Sequence, residues 1–414
     1  MTSRRAVITG IGMIGPTGAG YRAFWDALCA ARPAARPISR FDPSVSPCRV
    51  AGEVDDAWFV DHVDARKRRT TTRATQLALA ASDLALADAR LPSDAIPRDA
   101  FGVVVGTAMG GWVDGEQQTA ILLERGGRRV NPFIVAGAPS HGPGVEVAAA
   151  AGARGPQVTF ANGCPSSAQA IAHGAMLIES GVVDGCLVGG TEAPLSPLTF
   201  AALSRTNELS TEGDPLRASR PFDQTHAGMV LSEGATFLML ECSDRARARG
   251  ATIYATILGS AFSCDAEGLY AADHTGQAGA SAIRRLLTIT KTRPDDIDYI
   301  CAHANAAPLF DRKDITVLSA ALGEFLPTIP ISSIKGVLGH PFGASGAFQA
   351  AAASLAMSRS VIPPTANLES PADACRARHV IAAPLERELR RVLLTSYGYG
   401  GVNGYLLLGS AADV

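Results

Sequence analysis

Short runs of valine, isoleucine and leucine alternate with longer alanine- and leucine-rich segments along this chain of 414 residues. Such short apolar runs are typical of strands that are buried on both faces of a sheet. The longer segments predict helices over 71–89, over FWDALCAA at 24–31 and directly after Cys164. Strands are expected at 6–12, 101–111, 156–163, 184–193, 233–241, 298–306 and 391–409. The alternation predicts an α/β fold with largely parallel sheets.

Two stretches of the sequence resemble each other and indicate an internal duplication. GCPSSAQAIAHGAMLI at 163–178 and GHPFGASGAFQAAAASLAM at 339–357 each begin with a glycine, a reactive residue and a proline. Each continues into an alanine-rich helix and follows a strand-like run. We therefore predict two duplicated α/β halves, 1–250 and 251–414. No low-complexity linker separates them, so the halves are expected to pack as one body.

Composition limits the classes of function that the chain can have. Its formal net charge is −2, and its Lys and Arg residues form no sustained stripe, which argues against nucleic acid as a partner. The basic cluster at 66–69 is interpreted as a solvated loop or a partner-docking patch. No apolar run is long enough to cross a membrane, and the N-terminus lacks a signal-peptide core. Eight scattered cysteines without a CxxC pair favour reduced cytoplasmic thiols over disulfides or a zinc site.

Cys164 lies in the segment FANGCPSSAQA, between the end of a predicted strand and the start of a predicted helix. The proline after it suits the first helical position, because no amide hydrogen is needed there. Cys164 is thus expected at the N-cap or beside it, where the helix dipole favours a thiolate and lowers the thiol pKa. Such a turn also projects the side chain out of the sheet, as a nucleophile requires. The other seven cysteines are interpreted as core residues.

Four further features are candidates for the same site, because sites in open α/β sheets lie beyond the carboxyl ends of strands. His303 ends a predicted strand, and His340 occupies the helix start that corresponds to Cys164 in the second half. Lys335, five residues before His340, lies between apolar residues and is expected to be paired. The glycine-rich run SYGYGGVNG at 396–404 allows backbone N–H groups to approach an oxyanion closely. A tight turn between two strands explains that run equally well.

Seven ordered blocks of the sequence match one known family over essentially the whole chain. They are AVITGIGMIGPTG, GPQVTFANGCPSSAQAI, VGGTEAPLSPLTFAAL, ASRPFDQTHAGMVLSEGA, AHANAAPLFDRKD, SSIKGVLGHPFGASGA and SYGYGGVNG. The chain therefore resembles the β-ketoacyl-acyl-carrier-protein synthases, or ketosynthases, of the thiolase superfamily. The stretch GGTEAPLSPLTF is most similar to ketosynthase subunits of type II polyketide synthases. The resemblance implies a thiolase-like fold with a layered α-β-α-β-α core.

The resemblance also implies roles for five residues. Cys164 matches the nucleophile that takes an acyl chain from a carrier thiol. His303 and His340 match the two histidines that bind the malonyl thioester carbonyl and promote decarboxylation, and Lys335 matches the lysine that supports them. Tyr399 stands where a phenylalanine usually guards the acyl pocket, and its N–H and that of Cys164 would form the oxyanion hole. The implied reaction is a decarboxylative Claisen condensation with malonyl carrier protein, in polyketide or fatty acid biosynthesis.

Partners follow from the same resemblance. The substrates are expected on the phosphopantetheine arm of an acyl carrier protein, with no further cofactor and no metal. The chain is expected to form a homodimer, or a heterodimer with a ketosynthase-like chain-length subunit. Neither nucleic acid nor a membrane is an expected partner, and the expected location is the cytoplasm.

The sequence departs from the family pattern at three places. The stretch 304–307, ANAA, lacks the threonine hydroxyls that usually hold the phosphopantetheine arm. Pro165 replaces a small residue, and two tyrosines replace phenylalanines, which adds polar tips to an apolar gate. These departures predict an unusual acyl substrate, carrier or partner. The residues expected to contact the substrate are Asn305, Ala307, Tyr397, Tyr399 and Gly400.

Three alternative functions remain open from the sequence. A thiolase would fit GHPFGASG, but thiolases need a second cysteine in the C-terminal glycine loop, where this chain has SYGYGGVNG. A non-catalytic chain-length partner would lose the nucleophile, whereas this chain keeps Cys164. An acyltransferase that never condenses is the strongest competitor, because the altered 304–307 stretch would not prevent acyl transfer through Cys164 alone.

Overall fold

The structure is a computed structural model that describes residues 4–92, 94–269 and 273–413. Within these residues one large mixed sheet contains twelve strands, and two small sheets contain two strands each. The strands are β1 Ala6–Gly15, β2 Gly18–Ala19, β3 Arg36–Pro37, β4 Val50–Ala51, β5 Phe101–Gly106, β6 Gln157–Phe160, β7 Gly185–Glu192, β8 Gly234–Cys242, β9 Ala255–Cys264, β10 Tyr299–Cys301, β11 Pro330–Ser332, β12 Val361–Ile362, β13 Arg378–His379, β14 Leu385–Glu386, β15 Arg391–Gly398 and β16 Val402–Gly409.

The α-helices cover the alanine- and leucine-rich segments, where apolar residues with good helix propensity recur. They are α1 Tyr21–Cys29, α2 Ala65–Thr70, α3 Arg73–Ala89, α4 Trp112–Arg125, α5 Ile134–Gly137, α6 Gly142–Ala151, α7 Ser166–Glu179, α8 Pro197–Ser204, α9 Ser243–Ala248, α10 Gln277–Thr290, α11 Pro308–Leu322, α12 Lys335–Leu338 and α13 Ser345–Arg359. The helices expected at 71–89, at 24–31 and after Cys164 are therefore confirmed as α3, α1 and α7, with small shifts at their ends.

The large sheet contains the same five-strand pattern twice. Its order is β13-β11-β10-β15-β16-β9-β1-β8-β7-β5-β6, with β2 beside β1. Running outward from β1, the neighbours β8 and β7 pair antiparallel, and β5 and β6 then pair parallel. Running outward from β9, β16 and β15 pair antiparallel, and β10 and β11 then pair parallel. The duplicated α/β fold is confirmed by this repeat, while the exact boundary at 250 stays a prediction.

The expectation of largely parallel sheets is wrong for the centre of the molecule. The two halves meet where β1 pairs antiparallel with β9, and the strands beside them are antiparallel as well. The run at 391–409 folds back at Tyr399–Gly401 and forms the hairpin β15–β16, which a glycine-rich turn allows. Strand β9 was not expected from the sequence, because ATILGSAFSC interrupts its apolar residues with glycine and serine.

Helices and sheet form five layers. Helix α3 packs on one outer face, over β1 and β8, and α10 and α11 pack on the other outer face. Helices α7 and α13 pack against each other between the two halves of the sheet, in the main apolar core. The expected α-β-α-β-α layering is thus confirmed. Both central helices begin at the carboxyl ends of parallel strands, which brings the residues before them close together.

The start of α7 lies very close to the end of β5. A Cβ atom added to Gly106 would lie 2.2 Å from the backbone nitrogen of Ser167. We therefore expect Gly106→Ala to lower the free energy of unfolding by about 1–3 kcal/mol, because overpacking forces the backbone apart. Gly213→Ala is the matched control, since a Cβ there meets nothing within 4 Å. Urea unfolding of both variants tests this, and equal stabilities would contradict the expectation.

Candidate active site

Cys164 occupies the turn that joins β6 to α7. Gly163 adopts the left-handed φ of +69°, which glycine tolerates without steric cost. Pro165 is the N-cap of α7, so Cys164 lies immediately before the cap, as the sequence indicated. The thiol is buried, with 3% of the residue exposed. The turn directs the side chain towards the second half of the molecule.

His340 provides the direct partner of the thiol. Its Nε2 atom lies 3.2 Å from Cys164 Sγ, although the two residues are 176 positions apart in the chain. Its backbone pairs with Val230 and Ser232, which fixes the ring's position. A short 3₁₀ turn separates His340 from α13, so the residue precedes that helix by five positions instead of starting it. The ring's Nδ1 lies 3.2 Å from Ser345 Oγ.

His303 follows β10, and its ring meets that of His340 edge to face at 5.3 Å between centroids. Lys335 Nζ lies 3.4 Å from His303 Nδ1 and also donates to the His303 carbonyl oxygen. A lysine ammonium only donates hydrogen bonds, so Nδ1 accepts and the neutral ring carries its proton on Nε2. Among the described residues, that Nε2 has no hydrogen-bond partner. The site therefore contains one unpaired, buried N–H donor.

Burial controls the protonation of these groups. It raises the pKa of the Cys164 thiol to about 12, and the positive charge of Lys335 offsets only part of that rise. Burial, followed by the charge of Lys335, holds the pKa of both His303 and His340 well below the usual range. Burial also lowers the pKa of Lys335 to about 8. The expectation of a lowered thiol pKa is therefore not met, and the resting pair is a neutral thiol beside a neutral imidazole.

The glycine-rich segment 398–401 lies directly against Cys164. A Cβ atom on Gly398 would lie 3.2 Å from the Cys164 nitrogen, and Gly400 adopts a φ of +76°. The Tyr399 hydroxyl donates to the carboxylate of Glu208, whose pKa burial raises to about 6. The N–H of Tyr399 donates no hydrogen bond within the described residues, which leaves it available to an oxyanion.

The stretch 304–307 is buried, and its backbone is held by the carboxylate of Asp311. The backbone N–H groups of Asn305 and Ala306 both donate to the carboxylate of Asp311, at 2.9 and 3.1 Å. Ala306 adopts a φ of +71°, which is rare for a residue with a Cβ atom. The Asn305 side chain accepts from the N–H of Ala307 and donates to Met229. Contact of Asn305 and Ala307 with a substrate stays a prediction.

Tyr397 lies behind the ring of His303, in the interior of the second half. Its ring is fully buried and packs edge to face against His303 at 5.6 Å and against Tyr405 at 6.0 Å. The Lys313 ammonium lies 5.3 Å from the ring's centre. Tyr397 thus supports the ring of His303, while Tyr399 directly follows Gly398, the residue that lies against the Cys164 backbone. Direct contact of Tyr397 and Gly400 with a substrate stays a prediction.

Sequence reasoning missed several polar residues that hold the site. The Glu192 carboxylate accepts from the backbone nitrogens of Ala108, Met109 and Gly343, and so joins two loops beside Cys164. Asp314 accepts from Thr395, which in turn accepts from the N–H of His303. The acidic residues in PLFDRKD, close after the first histidine, were the available signal. The others missed are Glu208, Asp311 and Ser345.

Comparison with known proteins identifies the family. Residues 3–246 match Beta-ketoacyl synthase, N-terminal domain, and residues 254–369 match Beta-ketoacyl synthase, C-terminal domain. The chain belongs to the β-ketoacyl synthase family. The resemblance found in the sequence is thus confirmed, and the thiolase alternative is excluded.

The similarity between this β-ketoacyl synthase and its relatives extends over nearly the whole length of both chains. The chain is 37% identical to the tetracenomycin polyketide synthase ketoacyl synthase alpha subunit of Streptomyces glaucescens, covering 98% of this chain and 97% of that one. It is 34% identical to 3-oxoacyl-[acyl-carrier-protein] synthase 2 of Synechocystis, covering 97% of each. The solved ishigamide ketosynthase/chain length factor superposes with a TM-score of 0.91 at 30% identity, covering 99% of this chain and 100% of that one.

Neither a candidate metal site nor a membrane-spanning helix is present among the described residues. Residues 4–92, 94–269 and 273–413 contain no group of three or more His, Cys, Asp or Glu side chains that could hold a metal ion. In the same part of the chain, no helix is both long and apolar enough to span a membrane.

The contact between Tyr399 and Glu208 predicts how fast the buried thiol reacts. We expect Tyr399→Phe to raise the rate of Cys164 alkylation by iodoacetamide about tenfold, because a lost hydrogen bond to a carboxylate loosens the covering segment. Peptide mass spectrometry measures the rate, with the half-exposed Cys29 as internal reference.

Glu208→Ala should raise the rate to the same extent, and the double variant should gain nothing more, since both remove one interaction. Additive effects of the two substitutions would show that the hydrogen bond between Tyr399 and Glu208 is not what limits access to the thiol.

Proposed function

We propose that this chain is a β-ketoacyl-acyl-carrier-protein synthase that condenses a Cys164-bound acyl chain with a malonyl unit on a carrier protein. The observation that supports this most directly is the meeting of a buried thiol, 3.2 Å from His340, with a second histidine that offers an unpaired N–H. A hydrolase or a simple acyl carrier needs only the first pair. Family membership and the named polyketide and fatty acid synthase relatives point to the same reaction.

In the first half-reaction, His340 Nε2 takes the proton of the thiol as Sγ attacks the thioester carbonyl of an acyl carrier. Because the resting pair is neutral, this proton moves during the attack and no free thiolate has to persist in the buried site. The N–H groups of Cys164 and Tyr399 would stabilise the tetrahedral oxyanion. Collapse expels the carrier thiolate, which leaves with the proton from His340, and the acyl group remains on Cys164.

In the second half-reaction, the malonyl thioester oxygen accepts hydrogen bonds from the Nε2–H groups of His303 and His340. The bond between the malonyl methylene and carboxyl carbons breaks, and carbon dioxide leaves. The electron pair of that bond stays on the methylene carbon and forms an enolate, which these two donors stabilise. The enolate carbon attacks the acyl carbonyl on Cys164. The thiolate leaves and takes up one proton from solvent, since decarboxylation of the malonyl carboxylate supplies none, and the β-ketoacyl product departs on its carrier. Lys335 keeps His303 in the required tautomer by occupying Nδ1.

A non-condensing acyltransferase is the second candidate, and the composition of the 304–307 stretch favours it. The buried backbone there is already satisfied by Asp311, and no threonine hydroxyl is available to a phosphopantetheine arm. The positioned donor of His303 would have no function in such an enzyme, so condensation is the better proposal. The altered stretch and the Tyr399–Glu208 contact then support an unusual acyl substrate or carrier.

We also infer a dimer. Six large apolar side chains are exposed on α4, on α8 and around α5, and three of them line a cavity of about 720 Å³. Exposed apolar patches of this kind mark protein interfaces. The partner is either a second copy or a ketosynthase-like chain-length subunit. The exposed residues are Trp112, Leu122, Leu123, Phe133, Val135 and Leu198.

The acyl carrier protein would approach the basic cluster at 66–69. This cluster is the short helix α2 and not a loop, and Arg66 and Arg69 are exposed on it. Within the described residues neither arginine takes part in an ion pair, whereas Lys67 is held by Glu146. Unpaired surface cations suit an acidic partner. All eight cysteines are free, which supports the proposed cytoplasmic location.

Two substitutions separate the half-reactions. Cys164→Ala is expected to abolish acyl loading, which intact-mass analysis detects as the loss of a covalent adduct after incubation with acyl carriers. His303→Ala is expected to load normally but to release carbon dioxide from malonyl carrier protein about a hundredfold more slowly, because an oxyanion donor is lost. His62→Ala, on the surface, is the control. Unchanged carbon dioxide release from His303→Ala would favour the acyltransferase.

Charge reversal tests the carrier surface. We expect Arg66→Glu combined with Arg69→Glu to raise the KM for the carrier protein about tenfold at low salt, because both cations lie where an acidic partner would dock. The value of kcat should stay unchanged. Arg22→Glu, an exposed arginine on α1, controls for net charge. An equal effect of the control would remove α2 from the docking surface.

A further inference from the structure

We propose that the Ser345 hydroxyl is a reversible hydrogen-bond partner that allows His340 to work in both of its tautomers. It would accept from Nδ1–H while His340 acts as a base towards Cys164, and it would donate to Nδ1 while His340 acts as a donor to the malonyl oxygen. Ser345 is thus a positioning residue that acts through His340. The second role rests on the proposed function, whereas the first concerns the resting thiol alone.

The Ser345 side chain is buried, and its hydroxyl faces the ring of His340. It is the first residue of α13, it is 1% exposed, and its Oγ lies 3.2 Å from His340 Nδ1. Within the described residues its hydroxyl has no other hydrogen-bond partner. The neighbouring Gly346 packs against α7, where a Cβ atom would lie 2.7 Å from the Ala168 nitrogen. The start of α13 is thus held against α7, and the hydrogen of the Ser345 hydroxyl can turn about the Cβ–Oγ bond without any heavy atom moving.

The two half-reactions require opposite hydrogen positions on His340. As a base, Nε2 must accept the thiol proton, so the neutral ring carries its hydrogen on Nδ1. As a donor, Nε2 must carry the hydrogen, so Nδ1 must accept. A backbone carbonyl only accepts and a backbone N–H only donates, whereas a hydroxyl does both. Ser345 thus satisfies Nδ1 in either state without moving a heavy atom.

His303 shows the opposite arrangement. Its Nδ1 faces the Lys335 ammonium, which only donates, so His303 is restricted to the tautomer with Nε2–H. The two histidines differ in the partner of Nδ1: a cation in one case and a hydroxyl in the other. The fixed histidine suits a single task in condensation. His340, whose Nδ1 faces a hydroxyl, is also the histidine that contacts Cys164. It therefore has a second task, that of base towards the thiol.

The charged and titratable groups around the pair come from several elements. Lys335 of α12 and His303, after β10, face it from the second half, and Glu192 of β7 and Glu208 face it from the first. These groups set the local field but contact neither nitrogen of His340. Removing the Ser345 hydroxyl leaves these four groups in place. A change in thiol reactivity after its removal therefore reflects the lost hydrogen bond to His340 Nδ1.

The test uses the full-length protein without substrate. Ser345→Ala is expected to slow alkylation of Cys164 by iodoacetamide about tenfold near pH 7, because the imidazolium that forms beside the thiolate loses a charge-assisted acceptor. The deficit should shrink as the pH rises, since solvent hydroxide then removes the thiol proton without His340. A pH-independent deficit, or none, would overturn the proposal.

A double-mutant cycle excludes a merely structural effect. In a His340→Ala background, Ser345→Ala should change the alkylation rate no further, because its only route to the thiol is gone. A full tenfold fall in that background would refute the proposal.

The reversible role is tested separately by carbon dioxide release from malonyl carrier protein, which Ser345→Ala should also slow about tenfold. Slowed alkylation with unchanged release would mean that the hydroxyl only accepts, which overturns its second role. If the parent protein itself releases no carbon dioxide, the proposed condensation fails while the alkylation result still stands.

Discussion

The contact between Cys164 Sγ and His340 Nε2 is the interaction on which the rest of the structure depends. It joins two residues 176 positions apart, one before each of the two central helices. A sulfur and an imidazole nitrogen meet at 3.2 Å only if α7 and α13 pack closely and both halves of the sheet hold their register. Three features of the fold maintain this distance: the five layers, the antiparallel junction of β1 with β9, and the small residues between the two central helices.

Burial gives this contact its chemical character. In a buried site, charged forms are disfavoured, so the thiol and both imidazoles rest neutral and the Lys335 ammonium becomes a stronger acid. The protein compensates with fixed polar partners: Lys335 behind His303, and Asp311 and Asp314 beneath the adjoining backbone. These partners are already oriented before a substrate enters, so little reorganisation is required during the reaction.

Most of the fold and the centre of the site followed from the sequence, for physical reasons. Buried strands and alanine-rich helices have distinct patterns, and the turn before α7 has glycine and proline at positions where each is required. Strand β9 did not follow, because mixed small and polar residues carry no strong periodicity. The raised pKa of Cys164 did not follow either, since a helix start favours a thiolate and only the tertiary structure shows how completely water is excluded. Glu208 acts through a contact with Tyr399, 191 positions away, which spacing does not encode. Ser345 lies only five positions after His340, but the 3₁₀ turn that brings its hydroxyl to the ring has no clear sequence pattern.

The repeat in the sheet gives Cys164 and His340 equivalent places, each between the fifth strand of its five-strand pattern, β6 or β11, and the central helix, α7 or α13. A symmetric ancestor assembled from two identical halves would have presented the same residue type at both mouths, and two thiols or two imidazoles cannot exchange a proton as a nucleophile and a base do. Because both halves belong to one chain, the two equivalent positions carry different residues in every copy of the protein, and each molecule contains one thiol and one imidazole at the right distance.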